Sequence, residues 1–200
     1  MDNDRFVKIT GRIKELIITE GGKNIAPIPI EDDIKDRLSS VVSQAVVIGD
    51  KKKHLSCLLT LKVEIDPSTN LPTDKLDPVV IDWCKSILAD KKIGENEQNI
   101  PVKTIDFIKG PHSDIFMQGI QGGIDAVNSN AAFRAAEVRK FCVLEHDFSI
   151  STGELGPTLK LKRHVVSEKY RDEIDGMYSP KENKESLYEG RISAEVAIGA

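Results

Sequence analysis

Two adjacent glycines, Gly21 and Gly22, separate two apolar segments near the start of the chain. The first segment, Leu16–Ile18, has the apolar and β-branched content of a buried strand, and the second ends at Pro27. Glycine adopts positive φ without steric cost and lets another molecule approach the backbone closely. The stretch therefore predicts a β-hairpin with a polar, accessible tip, which by pattern alone is an ordinary hairpin of a globular domain.

Three further apolar runs predict the strands of a sheet. Residues 44–48 and 55–61 flank a turn that begins at Gly49 and Asp50, which is typical of a second hairpin, and residues 138–144 give another core strand. A hairpin requires antiparallel pairing, so the sheet is at least partly antiparallel. Together with the helices predicted along the rest of the chain, the pattern predicts an α+β fold in which an N-terminal β-hairpin precedes a small mixed sheet flanked by helices.

The first helix is predicted to begin near Glu31, after an extended connector over residues 27–29, because a proline disfavours helical backbone in the residue before it. Acidic residues at its start suit the helix dipole. One apolar stripe recurs at helical spacing and consists of Ile30, Ile34, Leu38 and Val41.

Residues 63–77 contain many helix and strand breakers and predict a loop, and residues 78–90 predict a short helix. A longer helix is expected from Ser113, as its N-cap, to about residue 130, and its internal glycines weaken it unless close packing compensates. Residues 163–178 predict a closing helix, and residues 180–200 are polar and aperiodic.

The composition is that of a soluble globular protein, and it excludes several classes of function. A formal net charge of −4 argues against a dedicated nucleic-acid binder, and no apolar run is long enough for a membrane span. The cysteines and histidines show neither a disulfide framework nor metal-ligand spacing, so no metal site is predicted. We expect a cytoplasmic protein, or one peripheral to an intracellular membrane.

A second stretch, Gly153–Arg163, carries several cations in the order Lys160, Lys162 and Arg163. A lysine is a compact charge on a flexible stem and can stabilise negative charge that develops at a phosphate. If the stretch is extended, Thr158 and the two lysines share one face, while Leu159 and Leu161 pack on the other. This geometry does not choose between the lysines, and a basic strand edge that discourages aggregation explains it equally well.

Both stretches resemble motifs of the adenylate-forming enzymes, in the form found in long-chain fatty acyl-CoA synthetases of the bubblegum type. The first is similar to Gly-Arg-x-Lys-Glu-Leu-Ile-x-Thr-x-Gly-Gly-x-Asn, and the second to Gly-Glu-Leu-x-Pro-Thr-x-Lys-x-Lys-Arg. The resemblance covers roughly residues 4–178 and implies the fold of the C-terminal domain of these enzymes. Asp4-Arg5-Phe6 departs from it, because the family usually has glycine where Arg5 stands.

The resemblance implies a role for each matching residue. Lys160, rather than Lys162, matches the catalytic lysine. Arg12 matches the arginine that contacts the nucleotide, and Lys14 matches the hinge about which the domain swings between its two poses. Without the resemblance, Arg12 and Lys14 would be members of a solvated ion-pair cluster, since Glu15 follows them.

Gly21 matches the loop glycine beside the path of CoA, and Gly22 and Lys23 are neighbours of that path. Because one active site must receive the lysine first and the glycine loop second, the swing predicts that the two stretches lie on different faces of the domain.

The resemblance also implies what this chain works with. The substrates are a fatty acid, ATP and CoA, and Mg2+ is expected for the full enzyme but not at this domain. The phosphate loop and acyl pocket belong to an N-terminal adenylation domain of the same polypeptide, so the isolated chain is expected to be inactive. Membrane association of the full enzyme stays open.

By domain, residues 1–10 are a remnant of the preceding domain or linker, residues 11–178 are the mobile C-terminal domain and residues 179–200 are a polar tail. Residues 62–112 are similar to an insertion. Two alternatives stay open: a stand-alone interaction module with the same fold, or the equivalent domain of another adenylate-forming ligase.

Overall fold

A four-stranded mixed sheet forms the centre of the fold in the computed structural model, which describes residues 15–94, 99–179 and 187–189. Strand β4 pairs antiparallel with β3 and parallel with β7, and β7 pairs antiparallel with β8. The predicted α+β class and mixed sheet are confirmed. The strands are β1 Ile17–Ile18, β2 Asn24–Ile25, β3 Val42–Ile48, β4 Leu55–Leu61, β5 Val63–Ile65, β6 Pro72–Leu76, β7 Val138–Val143 and β8 Leu187–Glu189.

Helices cover both faces of this sheet, and every residue of β4 is buried as a result. Because successive side chains of a strand point to opposite faces, Cys57 and Leu59 join one core and Leu58 joins the other. The first core packs against α1, α2, α3 and α4, and the second against α5 and α6. The helices are α1 Pro27–Arg37, α2 Pro78–Asp90, α3 Thr104–Lys109, α4 Ser113–Asn128, α5 Arg163–Lys169 and α6 Arg171–Tyr178.

The N-terminal hairpin is confirmed by the antiparallel pairing of β1 with β2. The extended connector predicted over residues 27–29 is wrong, because α1 already begins at Pro27. Proline is well suited to the first helical turn, where its φ is pre-set and its missing N–H has no intrahelical partner to lose. Glu31 consequently lies one turn inside the helix and is buried.

The loop predicted over residues 63–77 is also wrong, since β5 and β6 form an antiparallel hairpin there. Its breaker residues build the turn: Ser68 N–H donates to the Asp66 carboxylate at 2.8 Å, and Asn70 has a φ of +55°. Asp and Asn favour such turns because their side chains bond the nearby backbone. Helix α2 has the predicted bounds, whereas α3 carries no strong periodic signal and was not predicted.

The remaining elements differ from the prediction mainly at their ends. His112, not Ser113, is the N-cap of α4, because Ser113 already has helical geometry. The closing helix divides into α5 and α6 at Tyr170. Within the polar region after residue 179, residues 187–189 form an edge strand. Among the described residues, no helix is both long and apolar enough to cross a membrane.

The glycines of α4 provide a test of how this helix packs against the end of α1. A Cβ at Gly122 would meet nothing within 4 Å, whereas a Cβ at Gly123 would lie 2.4 Å from the Cδ2 atom of buried Leu38. We expect Gly122→Ala to raise the free energy of unfolding by up to about 1 kcal/mol. We expect Gly123→Ala to lower it by about 1–3 kcal/mol because of overpacking. Urea denaturation measures both, and equal effects would contradict the close contact of α4 with α1.

Candidate functional site

The lysine stretch is a tight hairpin-like turn, and Lys160 lies exposed at its end. The N–H of Gly156 donates to the Lys160 carbonyl at 2.8 Å, and the N–H of Leu159 donates to the Gly156 carbonyl at 2.8 Å. Leu155 and Leu161 face each other as an antiparallel bridge below these bonds. The backbone that carries Lys160 is therefore fixed, while its side chain reaches into solvent.

The extended arrangement considered for this stretch is wrong. Leu159 has a φ of +57° and is 69% exposed, so it does not pack beside Leu161. The reason is that the chain reverses between Gly156 and Lys160, which ends the strict alternation of faces that an extended segment would have. Only Leu161 contacts the apolar core below, which it shares with Leu155.

Glu154 anchors the N-terminal arm of the turn. Its side chain is 1% exposed and accepts hydrogen bonds from Lys169, from Thr152 and from the Tyr170 hydroxyl, the last at 3.1 Å. Burial opposes ionisation of Glu154, but the bonds from Lys169 and Thr152 outweigh it and lower its pKa to about 2. The Glu154 carbonyl also accepts from the Lys162 N–H at 2.7 Å, which closes the base of the turn.

Arg163 anchors the C-terminal arm of the turn through an ion pair with Glu31. The two guanidinium nitrogens Nη1 and Nη2 lie 2.6 and 2.9 Å from the two Glu31 carboxylate oxygens. The same carboxylate accepts from the Val47 N–H at 2.7 Å, and Arg163 donates to the Val47 carbonyl at 3.3 Å. Strand β3 is at the edge of the sheet, so the ion pair satisfies backbone groups that no neighbouring strand reaches.

The glycine loop between β1 and β2 is exposed over residues 20–24. Gly22 has a φ of +74°, and a Cβ at Gly21 would meet nothing within 4 Å. The loop is closed by the Thr19 N–H, which donates to the Lys23 carbonyl at 3.1 Å. Its tip therefore presents backbone to solvent without side chains in the way.

The two stretches lie on opposite faces of the sheet, as expected. Ile17 and Ile25 of the hairpin belong to the core that contains Leu59, whereas Leu155 and Leu161 belong to the core that contains Leu58. The structure thus brings Gly21, Gly22 and Lys23 together at one place and Lys160 at another. Arg12 and Lys14 lie outside the described residues.

A groove of about 250 Å³ lies next to the glycine loop, between the start of α1 and the end of α4. Its walls are mostly apolar, with Phe133 partly exposed at one side. In the described part of the chain, no group of three or more His, Cys, Asp or Glu side chains could hold a metal ion. Asn24 of the glycine loop and Ile25 line this groove, so the loop borders a concave, mostly apolar surface.

Sequence reasoning missed the roles of Glu31, Glu154 and Arg163. The last two lie inside the lysine stretch, but nothing local shows that Glu154 is buried or that Arg163 pairs with a buried carboxylate. A signal did exist for Glu31, because Pro27, Glu31 and Ile34 follow helical spacing on the buried side of α1. A carboxylate in an apolar stripe predicts a buried partner, since an unpaired charge is costly there.

Comparisons with known proteins identify a matching family and several relatives. Residues 14–97 match the family described as the AMP-binding enzyme C-terminal domain. The chain is 46% identical over 178 residues to the long-chain-fatty-acid–CoA ligase ACSBG1 of Rattus norvegicus, covering 89% of this chain and 23% of that protein. It is 44% identical over 186 residues to ACSBG2 of Xenopus laevis, covering 91% of this chain and 24% of that protein. The chain thus spans about a quarter of the length of these curated relatives.

The fold is similar to that of solved adenylation domains. An adenylation domain of the carboxylate reductase from Mycobacterium chelonae superposes with a TM-score of 0.55 at 18% identity, over 84% of this chain and 20% of that one. The A domain of carboxylic acid reductase from Segniliparus rugosus, in complex with AMP and a carboxylic acid, gives a TM-score of 0.53 at 15% identity, over 84% of this chain and 20% of that one. At these identities the likeness concerns the fold.

The fold and the family match are consistent with the C-terminal domain of an adenylate-forming enzyme. Over residues 14–97 the chain matches the family of AMP-binding enzyme C-terminal domains. The resemblance to bubblegum-type long-chain fatty acyl-CoA synthetases is likewise confirmed by the relatives.

The buried carboxylate of Glu154 makes stability depend on pH. Its pKa is about 2 in the folded chain against an ordinary value of 4.5, so its contribution is present above pH 4.5 and is lost as pH falls towards 2. We expect Glu154→Gln to lower the free energy of unfolding by about 2–3 kcal/mol at pH 7, and by progressively less below pH 4.5.

Denaturant titration of both proteins between pH 7 and pH 2.5 measures this difference. The matched control is Glu145→Gln, because Glu145 pairs with Lys109 while 48% exposed and should change stability by less than about 1 kcal/mol. A difference for Glu154→Gln that is independent of pH would contradict the assignment.

Proposed function

We propose that this chain is the mobile C-terminal domain of a long-chain fatty-acid–CoA ligase. In the first half-reaction the fatty-acid carboxylate attacks the α-phosphate of ATP, forming an acyl-adenylate and releasing pyrophosphate. In the second, the CoA thiolate attacks the acyl carbonyl, forming the thioester and releasing AMP. The observation that carries the proposal is the placement of Lys160 and the glycine loop on opposite faces of one sheet, in a chain 46% identical to such a ligase.

Lys160 is the group that we assign to the first half-reaction. Attack of a carboxylate on a phosphate brings two anions together, and a cation at that point stabilises the transition state more than the separated substrates. The exposed lysine on an anchored backbone suits this role. The turn fixes the position of the Lys160 backbone, while the long, flexible side chain lets Nζ reach the phosphate. Arg12 is assigned to the nucleotide by its match to the family motif.

The glycine loop is the group that we assign to the second half-reaction. Gly21 and Gly22 leave the backbone open to a narrow chain such as the pantetheine arm of CoA, with Lys23 beside it. The apolar groove bordered by this loop offers surface to the same substrate. Since the lysine and the loop face opposite ways, one active site can meet both only if the domain turns, and Lys14 is the assigned hinge.

The remainder of the active site is assigned to an N-terminal adenylation domain of the same polypeptide. That domain would supply the phosphate loop, the acyl pocket and any Mg2+ ligands. A cytoplasmic or membrane-peripheral location is proposed for the full enzyme. An interaction module with the same fold would keep the structure and lose the reaction, so half-reaction measurements distinguish it from a ligase domain.

Substitution of Lys160 tests the first assignment. In the full-length ligase, Lys160→Ala should lower fatty-acid-dependent pyrophosphate release by roughly 100-fold or more, because one electrostatic contact to the transition state is lost. Reaction of added acyl-adenylate with CoA should change little. Pyrophosphate release and acyl-CoA formation measure the two steps separately.

Lys162→Ala is the control, because it removes a lysine from the same turn and leaves the backbone bond of residue 162 to Glu154 in place. Unchanged adenylation by Lys160→Ala would favour the interaction module. Adenylation by this 200-residue chain on its own would contradict the division of the site between two domains.

Substitution of Gly21 tests the second assignment. A Cβ at Gly21 meets nothing within 4 Å in this domain, so Gly21→Val should leave stability nearly unchanged. If CoA passes the loop, the added side chain displaces it, and a displacement of about 1 Å can cost roughly 100-fold in rate. The variant should therefore lower thioester formation from added acyl-adenylate by roughly 10-fold or more, at unchanged adenylation. Gly94→Val is the matched control, since a Cβ at Gly94 also meets open space. Equal thioester formation by both variants would contradict the assignment.

A further inference from the structure

The turn that carries Lys160 is held at both of its arms by buried carboxylates. Glu154 holds the N-terminal arm through Lys169, Thr152 and Tyr170. Arg163 holds the C-terminal arm through Glu31, which belongs to a helix on the other side of the sheet. The two anchors differ, because the Glu154 anchor is local to the turn and α5, whereas the Arg163 anchor reaches across the fold.

Arg163 makes a bidentate contact that only a guanidinium can make. The nitrogens Nη1 and Nη2 form a fork that donates to Glu31 Oε1 and Oε2, at 2.6 and 2.9 Å. Nη1 also donates to the Val47 carbonyl at 3.3 Å. Such a fork fixes orientation as well as distance, unlike the single point charge of a lysine. Arg163 is the first residue of α5, so the contact ties the start of that helix to α1.

The surroundings of Arg163 also include the segment that follows the assigned hinge. Burial disfavours the charged guanidinium, but Glu31 first and Glu15 second outweigh it and raise the pKa of Arg163. Glu15 directly follows Lys14 in the chain. The Arg163 cation is therefore stabilised by a carboxylate of α1 and by one of the segment that follows the assigned hinge.

We propose that Arg163 is a positioning residue for adenylation, which holds the Lys160 turn in a fixed relation to α1 through Glu31. The inference rests on the proposed function of Lys160. Arg163 lies three residues after Lys160, so a shift in the start of α5 passes directly to the lysine. Because a misplacement of about 1 Å can cost roughly 100-fold in rate, loss of the fork should lower adenylation without removing any group that touches substrate.

The test uses the full-length ligase with Arg163→Lys, Glu31→Gln and the double variant. Arg163→Lys keeps the cation and loses the fork. We expect kcat for adenylation to fall roughly 10–100-fold at unchanged KM for ATP and fatty acid, with thioester formation from added acyl-adenylate within about twofold. Because Arg163 acts through Glu31, the double variant should be no slower than the slower single variant.

The control is Arg171→Lys, since Arg171 is also the first residue of a helix but lies exposed on the surface. It should leave both half-reactions unchanged. A purely structural role of the ion pair would lower both half-reactions together in Arg163→Lys, in proportion to the folded fraction, and that result would overturn the proposal. Unchanged adenylation in Arg163→Lys, or additive losses in the double variant, would overturn it as well.

Lys160→Ala measured alongside separates this inference from the proposed function. If Lys160→Ala keeps full adenylation, the proposed function fails and the positioning role fails with it. If Lys160→Ala loses adenylation while Arg163→Lys retains it, only the positioning role fails.

Discussion

The ion pair between Glu31 and Arg163 is the interaction on which the arrangement of this domain depends. It joins two residues 132 positions apart, and it satisfies both the N–H and the carbonyl of Val47 on the free edge of the sheet. Removing Arg163 would leave the buried charge of Glu31 unpaired and the Val47 carbonyl without this donor, and breaking a buried pair in this way typically costs about 3–5 kcal/mol. The contact thus connects the element that follows the glycine loop with the element that follows the lysine turn.

The central strand β4 explains how one small domain holds the two candidate stretches on different faces. Its residues are buried on both sides, so each face of the sheet is covered by its own set of helices. The glycine hairpin is packed against one core and the lysine turn against the other. The sheet between them keeps the two stretches apart. The proposed function requires this separation, because the domain would present the stretches to one active site in turn.

Much of this fold follows from local sequence patterns. The hairpin at Gly21 and Gly22, strand β4 and helix α2 were predicted closely, because turn chemistry and apolar runs act over a few residues. The errors have local causes too. Pro27 begins a helix and the 63–77 region forms a hairpin, since proline, Asp and Asn occur both in loops and at the ends of regular elements. In the candidate site, Lys160 was predicted through the family motif, whereas the ion pairs that hold its turn were not predicted.

The sequence by itself determined the class of the fold and predicted the two candidate stretches, because these depend on composition, spacing and resemblance over short segments. Only the tertiary structure decided which charges are structural. Glu31 has helical spacing with buried positions but no partner nearby in the sequence, and Arg163 has the context of one more cation in a basic run. Folding buries Glu31 and brings Arg163 to it, because the free edge of β3 needs partners that lie far away along the chain.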